Sequence, residues 1–273
     1  MHSPSLVTRH LGPRRVLALA AITASLLLVG AGCGKKPPQD RQVPSPSAAN
    51  PAPAPSERPV PSPGPAVSLC ANPYFALSRG MRVDYESTVA GKVSTYSMVV
   101  TDATATSAKL SYEYPNTTYV FVQDIVCENG SVTTTSFMNF AGANSSMKTE
   151  TKRVEGELMP KDVHAGSTWT ASYESVATLA GLPEGVAAQT MTLSVASQSK
   201  AIGEESVTVP AGTFTAMKVE STSTTTSTIS GAPATSPTVT TTQQWWVKGV
   251  GLVKSATEGK SGTTVTVATK VTR

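Results

Sequence analysis

The side chains that most often carry catalysis are scarce in this sequence. Of its 3 histidines, only His164 lies beyond residue 32, and no cysteine lies near it. A zinc site needs several His, Cys or carboxylate ligands, and a Ser-His-Asp triad needs a histidine beside its nucleophile. We therefore expect no catalytic residues, no metal site and no cofactor. The adjacent Glu204 and Glu205 are predicted to lie in a solvated turn. A glycosidase, which needs only two distant carboxylates, is the enzyme class left open.

Cys33 is the residue whose surroundings predict a covalent modification. Arginines precede an apolar run over residues 16–29, and Gly30–Gly32 leads directly to the cysteine. This order is typical of a secretory signal, and the run is shorter than the ~20 residues of a membrane span. The segment resembles the bacterial lipobox, in which the cysteine after the cleavage site receives diacylglycerol. The resemblance implies a lipoprotein anchored outside the cytoplasm, at the bacterial cell membrane or the outer membrane. An ordinary signal with an incidental cysteine is the alternative.

Composition divides the chain into three segments. Residues 1–32 are predicted to be the cleaved signal, residues 33–68 a linker, and residues 69–273 a β-rich extracytoplasmic domain. The linker contains 11 of the 20 prolines. Because proline lacks an N–H and fixes φ, neither a helix nor a strand can continue through it. We expect an extended spacer between membrane and domain, with a docking site for a proline-binding partner as the alternative.

Cys70 and Cys127 are the two cysteines that remain after Cys33. Disulfides form in exported proteins, and two cysteines allow one pairing. The sequence predicts a Cys70–Cys127 bond that ties the start of the domain to a strand. Two unpaired thiols are the alternative.

The charge balance gives no indication of nucleic-acid binding. The 22 Lys and Arg residues outnumber the 18 Asp and Glu residues, but three arginines lie in the predicted signal. The mature chain is nearly neutral and has no basic stretch with interleaved aromatic residues. Charged residues make up 15% of the chain, so Ser and Thr are expected to supply much of the polar surface.

Apolar and polar residues alternate with period two from residue 81 onward. Val83 and Tyr85, for example, flank Asp84. This pattern predicts antiparallel hairpins in an all-β domain, either a single curved sheet shaped as a half-barrel or, alternatively, a β-sandwich. Only residues 173–180 could form a short helix, and residues 221–242 are predicted to be two strand ends joined by a long exposed loop. Turn sequences separate the strands at residues 90–92, 128–130, 210–212 and 258–260.

Two short segments echo each other within the domain. Gly80 and Tyr85 frame one predicted strand start, and Gly166, Trp169 and Tyr173 frame another. A duplicated half-domain is one explanation, although a single short match does not establish it.

Two motifs resemble those of uncharacterised bacterial exported proteins near the TapB-like group. One is V-T-V-P-A-G-T-F at residues 207–214, followed by M-K-V at residues 217–219, and the other is W-W-V-K-G-V-G-L-V-K at residues 245–254. Such proteins are similar in outline to LolA-like and LppX-like lipoproteins, with a curved antiparallel sheet and a concave apolar face. The resemblance implies binding of lipid or another hydrophobic ligand and supplies no catalytic residues. A structural role in turns and bulges explains the same motifs.

Two functional hypotheses follow from these observations, and neither includes an enzymatic activity. In the first, the anchored domain binds a lipid or another hydrophobic ligand. In the second, it is a structural or interaction module of the cell envelope with a filled core and no small-molecule ligand. A cavity of several hundred Å³ would favour the first hypothesis. The sequence identifies no protein partner. The candidate ligand-binding residues, for which plain core packing is the alternative, are Tyr85, Tyr96, Met98, Phe121, Met191, Met217 and Trp246.

Overall fold

The computed structural model describes residues 71–273, apart from residues 116, 118–119, 142–146, 180–188, 231, 233–234 and 260–261. Within this part of the chain, twelve strands form one antiparallel sheet. No helix described there is long and apolar enough to cross a bilayer. The strands are β1 (Arg82–Val89), β2 (Lys92–Ala103), β3 (Ser107–Glu113), β4 (Val120–Glu128), β5 (Ser131–Ala141), β6 (Met147–Gly156), β7 (Thr168–Leu179), β8 (Gln189–Val209), β9 (Gly212–Ile229), β10 (Thr238–Val247), β11 (Gly251–Gly259) and β12 (Gly262–Thr272).

The strands follow one another in chain order around the sheet, and β12 pairs with β1. The two edge strands, β5 and β6, also approach each other. Val132 forms a bridge with Met159 just beyond β6, and the Thr133 hydroxyl donates to the Gly156 carbonyl oxygen at 3.0 Å. The sheet therefore curls until its edges nearly meet. The prediction of an all-β domain with a single curved antiparallel sheet is confirmed, and the alternative β-sandwich is wrong because all twelve strands belong to one sheet.

Local sequence explains the short hairpins. Ala90 and Gly91 both have positive φ, 47° and 77°, between the paired residues Val89 and Lys92. Two consecutive positive φ angles are typical of the type I′ turn, whose twist matches that of the flanking strands. The turn predicted at residues 128–130 has the same character, and the one at 210–212 connects β8 to β9.

Two local predictions are wrong. Residues 173–180 were expected to form a short helix, but β7 continues to Leu179 and pairs with β6 and β8 along its length. Their sheet neighbours override the weak helical period. Glu204 and Glu205 lie within β8 and not in a turn; a register shift between Ala201 and Gly203 accommodates the extra residue there. Between residues 221 and 242, the predicted strand ends are β9, which ends at Ile229, and β10, which begins at Thr238, so the predicted loop is confined to residues 230–237.

The densest packing lies toward one end of the sheet, where β1, β5 and β11 begin and β2 and β4 end. We name it the closed end. Each fully buried aliphatic side chain there stabilises the fold by about 1.5–3 kcal/mol. By contrast, Val93 and Val239 near the opposite end are 60% and 57% exposed. The largest fully buried side chains are Met81, Val83, Val100, Ile125, Val132, Met159, Val219 and Val253.

A short segment that precedes β1 covers the closed end. It contains a one-turn 3₁₀ helix, Pro73–Phe75, which begins after Asn72. The Asn72 side chain accepts a hydrogen bond from the Tyr74 N–H at 3.1 Å and donates one to the Pro160 carbonyl at 3.0 Å. The Gly249 N–H donates to the Pro73 carbonyl at 2.7 Å. These contacts fix the segment across the end of the sheet, between the loop after β6 and the turn before β11.

The sequence echo has a structural counterpart. The Gly80 N–H donates to the Val100 carbonyl before β1, and the Gly166 N–H donates to the Ala201 carbonyl before β7, both at 2.8 Å. The two strands therefore begin with equivalent turns, each bonded to the following strand.

Candidate functional site

A cavity of ≈ 290 Å³ lies inside the curved sheet. The inward-facing side chains of strands from both halves of the sheet line it, together with Phe75 and Leu77 of the covering segment. Of the seven candidate residues, Met191 and Met217 are not among the lining residues. The sheet brings the other five together around the cavity: Tyr85, Tyr96, Met98, Phe121 and Trp246.

One side of the cavity is a wall of adjacent aromatic rings, which we name the tyrosine wall (Tyr85, Tyr96 and Tyr112). The rings of Tyr85 and Tyr96 stack with centroids 5.1 Å apart, and the Tyr112 ring lies 6.4 Å from Tyr96. Tyr85 on β1 pairs with Tyr96 on β2, and Tyr112 on β3 pairs with Met98, two residues beyond Tyr96, so the three side chains share one face. Such ring pairs stabilise a sheet by about 0.5–1.5 kcal/mol beyond their burial.

The phenol groups of this wall are uncharged and partly bonded within the protein. The Tyr85 hydroxyl donates to the Leu252 carbonyl at 2.7 Å, and the Tyr112 hydroxyl donates to the Gln123 side-chain oxygen at 3.1 Å. Burial raises the pKa of Tyr112 to about 12, and it raises the pKa of Tyr96 as well. Loss of water around a phenolate disfavours the charged form, so the wall presents a neutral, mainly apolar surface.

The covering segment contributes a second aromatic group at the closed end. The rings of Phe75 and Trp246 stack with centroids 5.3 Å apart. Tyr74 also lines the cavity and is only 2% exposed, yet its buried hydroxyl has no hydrogen-bond partner among the described residues. Burial raises the pKa of this phenol. A buried hydroxyl without a partner costs free energy.

The wall facing the cavity from β8, β9 and β10 is built from small hydroxyl side chains. Register pairs Ser199 with Ser221 and Ser221 with Thr242, so the hydroxyls lie side by side across three strands. We name this surface the hydroxyl wall, and its members are Ser197, Ser199, Ser221, Ser223 and Thr242.

Charge is sparse around the cavity. Among the described residues that line it, no lysine, arginine or histidine occurs, and the charged members are Glu155 and Glu157. Glu155 lies in the edge strand β6, and Glu157 follows the last residue of that strand. An open cleft of ≈ 440 Å³ lies between the edge strands, and it shares Thr133, Thr134, Val154 and Glu155 with the cavity lining. The cavity therefore borders the one place where the sheet is not closed by strand pairing.

Sequence reasoning missed Tyr112, Trp169 and the hydroxyl wall. Period-two alternation places Tyr112 on the inward face of its strand, but its position opposite Met98 and near Tyr96 depends on the register of β2 with β3. Trp169 follows the second glycine of the sequence echo by three residues, and its indole N–H donates to the Leu158 carbonyl at 3.2 Å. The serines gave no signal, since alternating Ser and Thr residues are equally typical of a solvated face.

The two sequence motifs have mainly structural roles. The rings of Trp245 and Trp246 lie on opposite faces of β10, and only Trp246 lines the cavity. Trp245 is 6% exposed, and its indole N–H donates to the Glu205 carboxylate. The Lys218 and Lys254 ammonium groups lie 5.2 Å and 4.6 Å from its ring centroid. The V-P-A-G-T-F motif forms the β8–β9 turn, after which Phe214 packs against the core.

No histidine or cysteine occurs among the described residues that line the cavity. His164 is exposed in the loop before β7. No group of metal-ligating side chains occurs within the described ranges. Cys127 is disulfide-bonded. Cys33 and Cys70 lie outside the described residues, so lipid attachment and the Cys70–Cys127 pairing stay predictions.

Two solved structures are similar to the chain at low identity. A Bacteroides fragilis protein, named as exported and as having a YmcC-like fold, is 13% identical and has a TM-score of 0.48 over 72% of this chain and 97% of its own. A Parabacteroides distasonis protein, named as a lipoprotein, is 15% identical and has a TM-score of 0.44 over 71% of this chain and 96% of its own. No curated protein matches the chain.

A family match covers most of the sheet. Residues 83–269 match the family described as DUF3108-like, a span that runs from β1 into β12 and exceeds half of the chain. The more specific resemblance to TapB-like, LolA-like and LppX-like proteins stays a prediction. The chain belongs to the DUF3108-like family.

Proposed function

We propose that this protein is a lipid-anchored extracytoplasmic binding protein that holds a hydrophobic ligand inside its curved sheet and catalyses no reaction. The observation that carries the proposal is the cavity of ≈ 290 Å³ with the tyrosine wall along one side. Apolar cavities of about 150 Å³ already bind small hydrophobic molecules, and ligand pockets are typically lined by aromatic side chains with a few polar groups.

The cavity favours this function over an interaction module with a filled core. Interiors are normally packed to the density of organic crystals, with few voids larger than a water molecule. Here the closed end is packed in that way, whereas the space beside Tyr96 and Tyr112 is not filled by side chains. The contrast within one sheet supports a binding role for the unfilled part.

The location outside the cytoplasm rests on the sequence. The signal before Cys33, the acylation implied by the lipobox and the proline-rich linker together support a domain held at a distance from a membrane. One acyl chain binds a membrane only marginally, whereas the two or three chains of a lipoprotein hold firmly. A disulfide between Cys70 and Cys127 would tie the end of the linker to β4.

The test is mass spectrometry of material extracted from the gently purified full chain, together with binding of N-phenyl-1-naphthylamine, an apolar dye. We expect a hydrophobic molecule in near-stoichiometric amount and saturable dye binding. The variant Ala171→Phe places a ring in the cavity and should abolish both. Its matched control is Thr170→Phe, at an exposed neighbouring position, which should keep both. Absence of extracted ligand and of dye binding in the unmodified chain would contradict the proposal.

A further inference from the structure

We infer that the ligand is a neutral amphiphile, with its apolar part against the tyrosine wall and an uncharged, hydroxyl-bearing part against the hydroxyl wall. This inference rests on the proposed binding function and adds the chemical class of the ligand. Three observations carry it: the placement of the serines, the unpartnered hydroxyl of Thr225 on the same side, and the absence of basic residues among the described residues that line the cavity.

The hydroxyl wall occupies positions where an all-β core would normally place Val, Ile or Leu. Ser197 and Ser199 lie on the same face of β8 as Val195 and the fully buried Ala201. A larger aliphatic side chain at these positions would extend into the space that the cavity occupies. Serine keeps the space open and makes one side of it polar, although serine contributes little to sheet stability by packing.

The hydroxyls retain hydrogen-bonding capacity after their contacts within the protein. Ser199 and Ser221 share one hydrogen bond of 2.8 Å, and the Ser197 hydroxyl donates to the Ala171 carbonyl at 3.1 Å. Thr242 shares a bond of 3.0 Å with Thr257. Each hydroxyl offers one donor and two acceptor lone pairs, so these bonds leave acceptor sites for a ligand O–H or N–H.

One buried hydroxyl on this side of the cavity has no partner among the described residues. It belongs to Thr225, which is 5% exposed and follows Ser223 on the same face of β9. Buried polar groups are nearly always hydrogen-bonded in native proteins. Polar groups of a bound molecule near the serines would complete this network.

The charges around the cavity select against an anionic head group. Burial of an ionised carboxylate or phosphate is costly unless a positive group pairs with it. No lysine, arginine or histidine lines the described part of the cavity, and Glu155 and Glu157 would repel an anion. A neutral head group with hydroxyls avoids this penalty and matches the donors and acceptors of the hydroxyl wall.

The test compares three probes with the same acyl chain, titrated into the purified full chain by calorimetry at pH 7.5: 1-octanoylglycerol, methyl octanoate and octanoate. We expect 1-octanoylglycerol to bind about 3- to 10-fold more tightly than methyl octanoate, the effect of one net hydrogen bond. Octanoate should bind most weakly. Equal affinities of the first two probes, or tightest binding of octanoate, would overturn the inference, and this comparison needs no variant.

A triple variant then assigns the preference to the hydroxyl wall. Combining Ser199→Ala, Ser221→Ala and Thr242→Val should reduce the affinity ratio of 1-octanoylglycerol to methyl octanoate to about one, with little change for the ester. The control is Thr222→Ala, on β9 but exposed on the outer face, which should keep the ratio. If the apolar dye binds but no octanoyl probe does, the ligand class is wrong while the binding function stands. If neither dye nor probe binds, both are wrong.

Discussion

The Tyr85 hydroxyl on β1 donates a 2.7 Å hydrogen bond to the Leu252 carbonyl on β11, across the intervening strand β12. A carbonyl in a regular ladder is directed at its neighbouring strand and not at the interior. Here a register shift in the β10–β11 pair, between Trp245 and Trp246, interrupts the ladder beside Leu252. The motif containing Gly249 and Gly251 therefore positions a backbone acceptor for a tyrosine of the cavity wall.

Replacing Tyr85 with Phe should lower the free energy of unfolding by about 1–2 kcal/mol, because a buried carbonyl loses its donor while the ring stays in place. The control is Tyr112→Phe, whose hydroxyl bonds to the Gln123 side chain. That amide can rotate toward other partners, so its loss should cost less. Urea unfolding of both variants measures the difference, and a larger loss for Tyr112→Phe would contradict the role assigned to Leu252.

Gly156, at the end of the edge strand β6, should tolerate no side chain. Its φ is +80°, and a Cβ would overlap the Thr170 carbonyl oxygen on β7. Gly91 has nearly the same φ, +77°, with open space around it. Gly91→Ala should therefore report conformational strain alone, about 1–2 kcal/mol. Gly156→Ala adds a backbone clash and should cost more than about 3 kcal/mol. Similar losses in thermal or urea unfolding would show that β6 can move away from β7 at little cost.

Asp84 should make the protein less stable in acid. A hydrogen bond from Ser97, and then one from Arg82, hold the pKa of the Asp84 carboxyl below its ordinary value. A lowered pKa in the folded state means that the stabilisation is complete above the unfolded-state pKa and is lost as pH falls through the folded-state pKa. The stability difference between the unmodified chain and Asp84→Asn should therefore shrink as pH is lowered from 6 to 3.

The variant Ser97→Ala tests how much the hydrogen bond from Ser97 contributes to this pH effect. It removes the 2.6 Å hydrogen bond to Asp84 without changing any charge. Urea unfolding at several pH values should show a flatter acid dependence for Ser97→Ala than for the unmodified chain. An unchanged pH dependence would mean that the hydrogen bond from Ser97 does not lower the pKa of Asp84.

Period-two alternation in the sequence predicts which face of a strand a residue occupies. On this basis the sequence assigns Tyr85, Tyr96 and Met98 to the inner face of the sheet, and all three line the cavity. It does not predict how far a residue on that face lies from the closed end of the sheet. Met217 packs at the closed end, 5% exposed in the core. Met191 lies near the start of β8, away from the cavity lining. That distance depends on how each strand is shifted relative to its neighbours around the curled sheet. Pairing between residues far apart in the sequence determines these shifts.

The hydroxyl wall shows a second limit of the same reasoning. Ser and Thr were expected to supply the polar surface, and the exposed Thr222 and Thr224 agree with this expectation. Ser221 and Ser223 between them face inward instead. A sheet that encloses a cavity does not require an apolar inner face, so polarity alone cannot distinguish its two sides. The inner face is identified only by the apolar residues that lie on the same side of the sheet as these serines, such as Val195 and Val219.

The predicted anchor and the predicted disulfide can be separated by two Cys→Ser variants. Cys33→Ser should abolish lipid attachment, detected as loss of the diacylglyceryl mass and of acyl-chain partition into membranes, because the serine hydroxyl does not replace the thiolate that forms the thioether. The β-rich domain predicted over residues 69–273 contains none of the changed atoms, so its unfolding midpoint should stay the same. Retention of the lipid in Cys33→Ser would mean that a residue other than Cys33 is acylated.

Cys70→Ser should have the opposite pattern of effects. Lipid attachment should persist, whereas loss of the crosslink to Cys127 should lower the free energy of unfolding by about 2–4 kcal/mol, the usual contribution of a disulfide that closes a long loop. Cys127→Ser should cause a similar loss, since either change removes the same bond. If Cys127→Ser destabilises the protein while Cys70→Ser does not, Cys127, which is disulfide-bonded in the structure, has Cys33 as its partner. In that case Cys33 is not free to carry lipid, and the anchor and the spacer function of the linker would both be wrong.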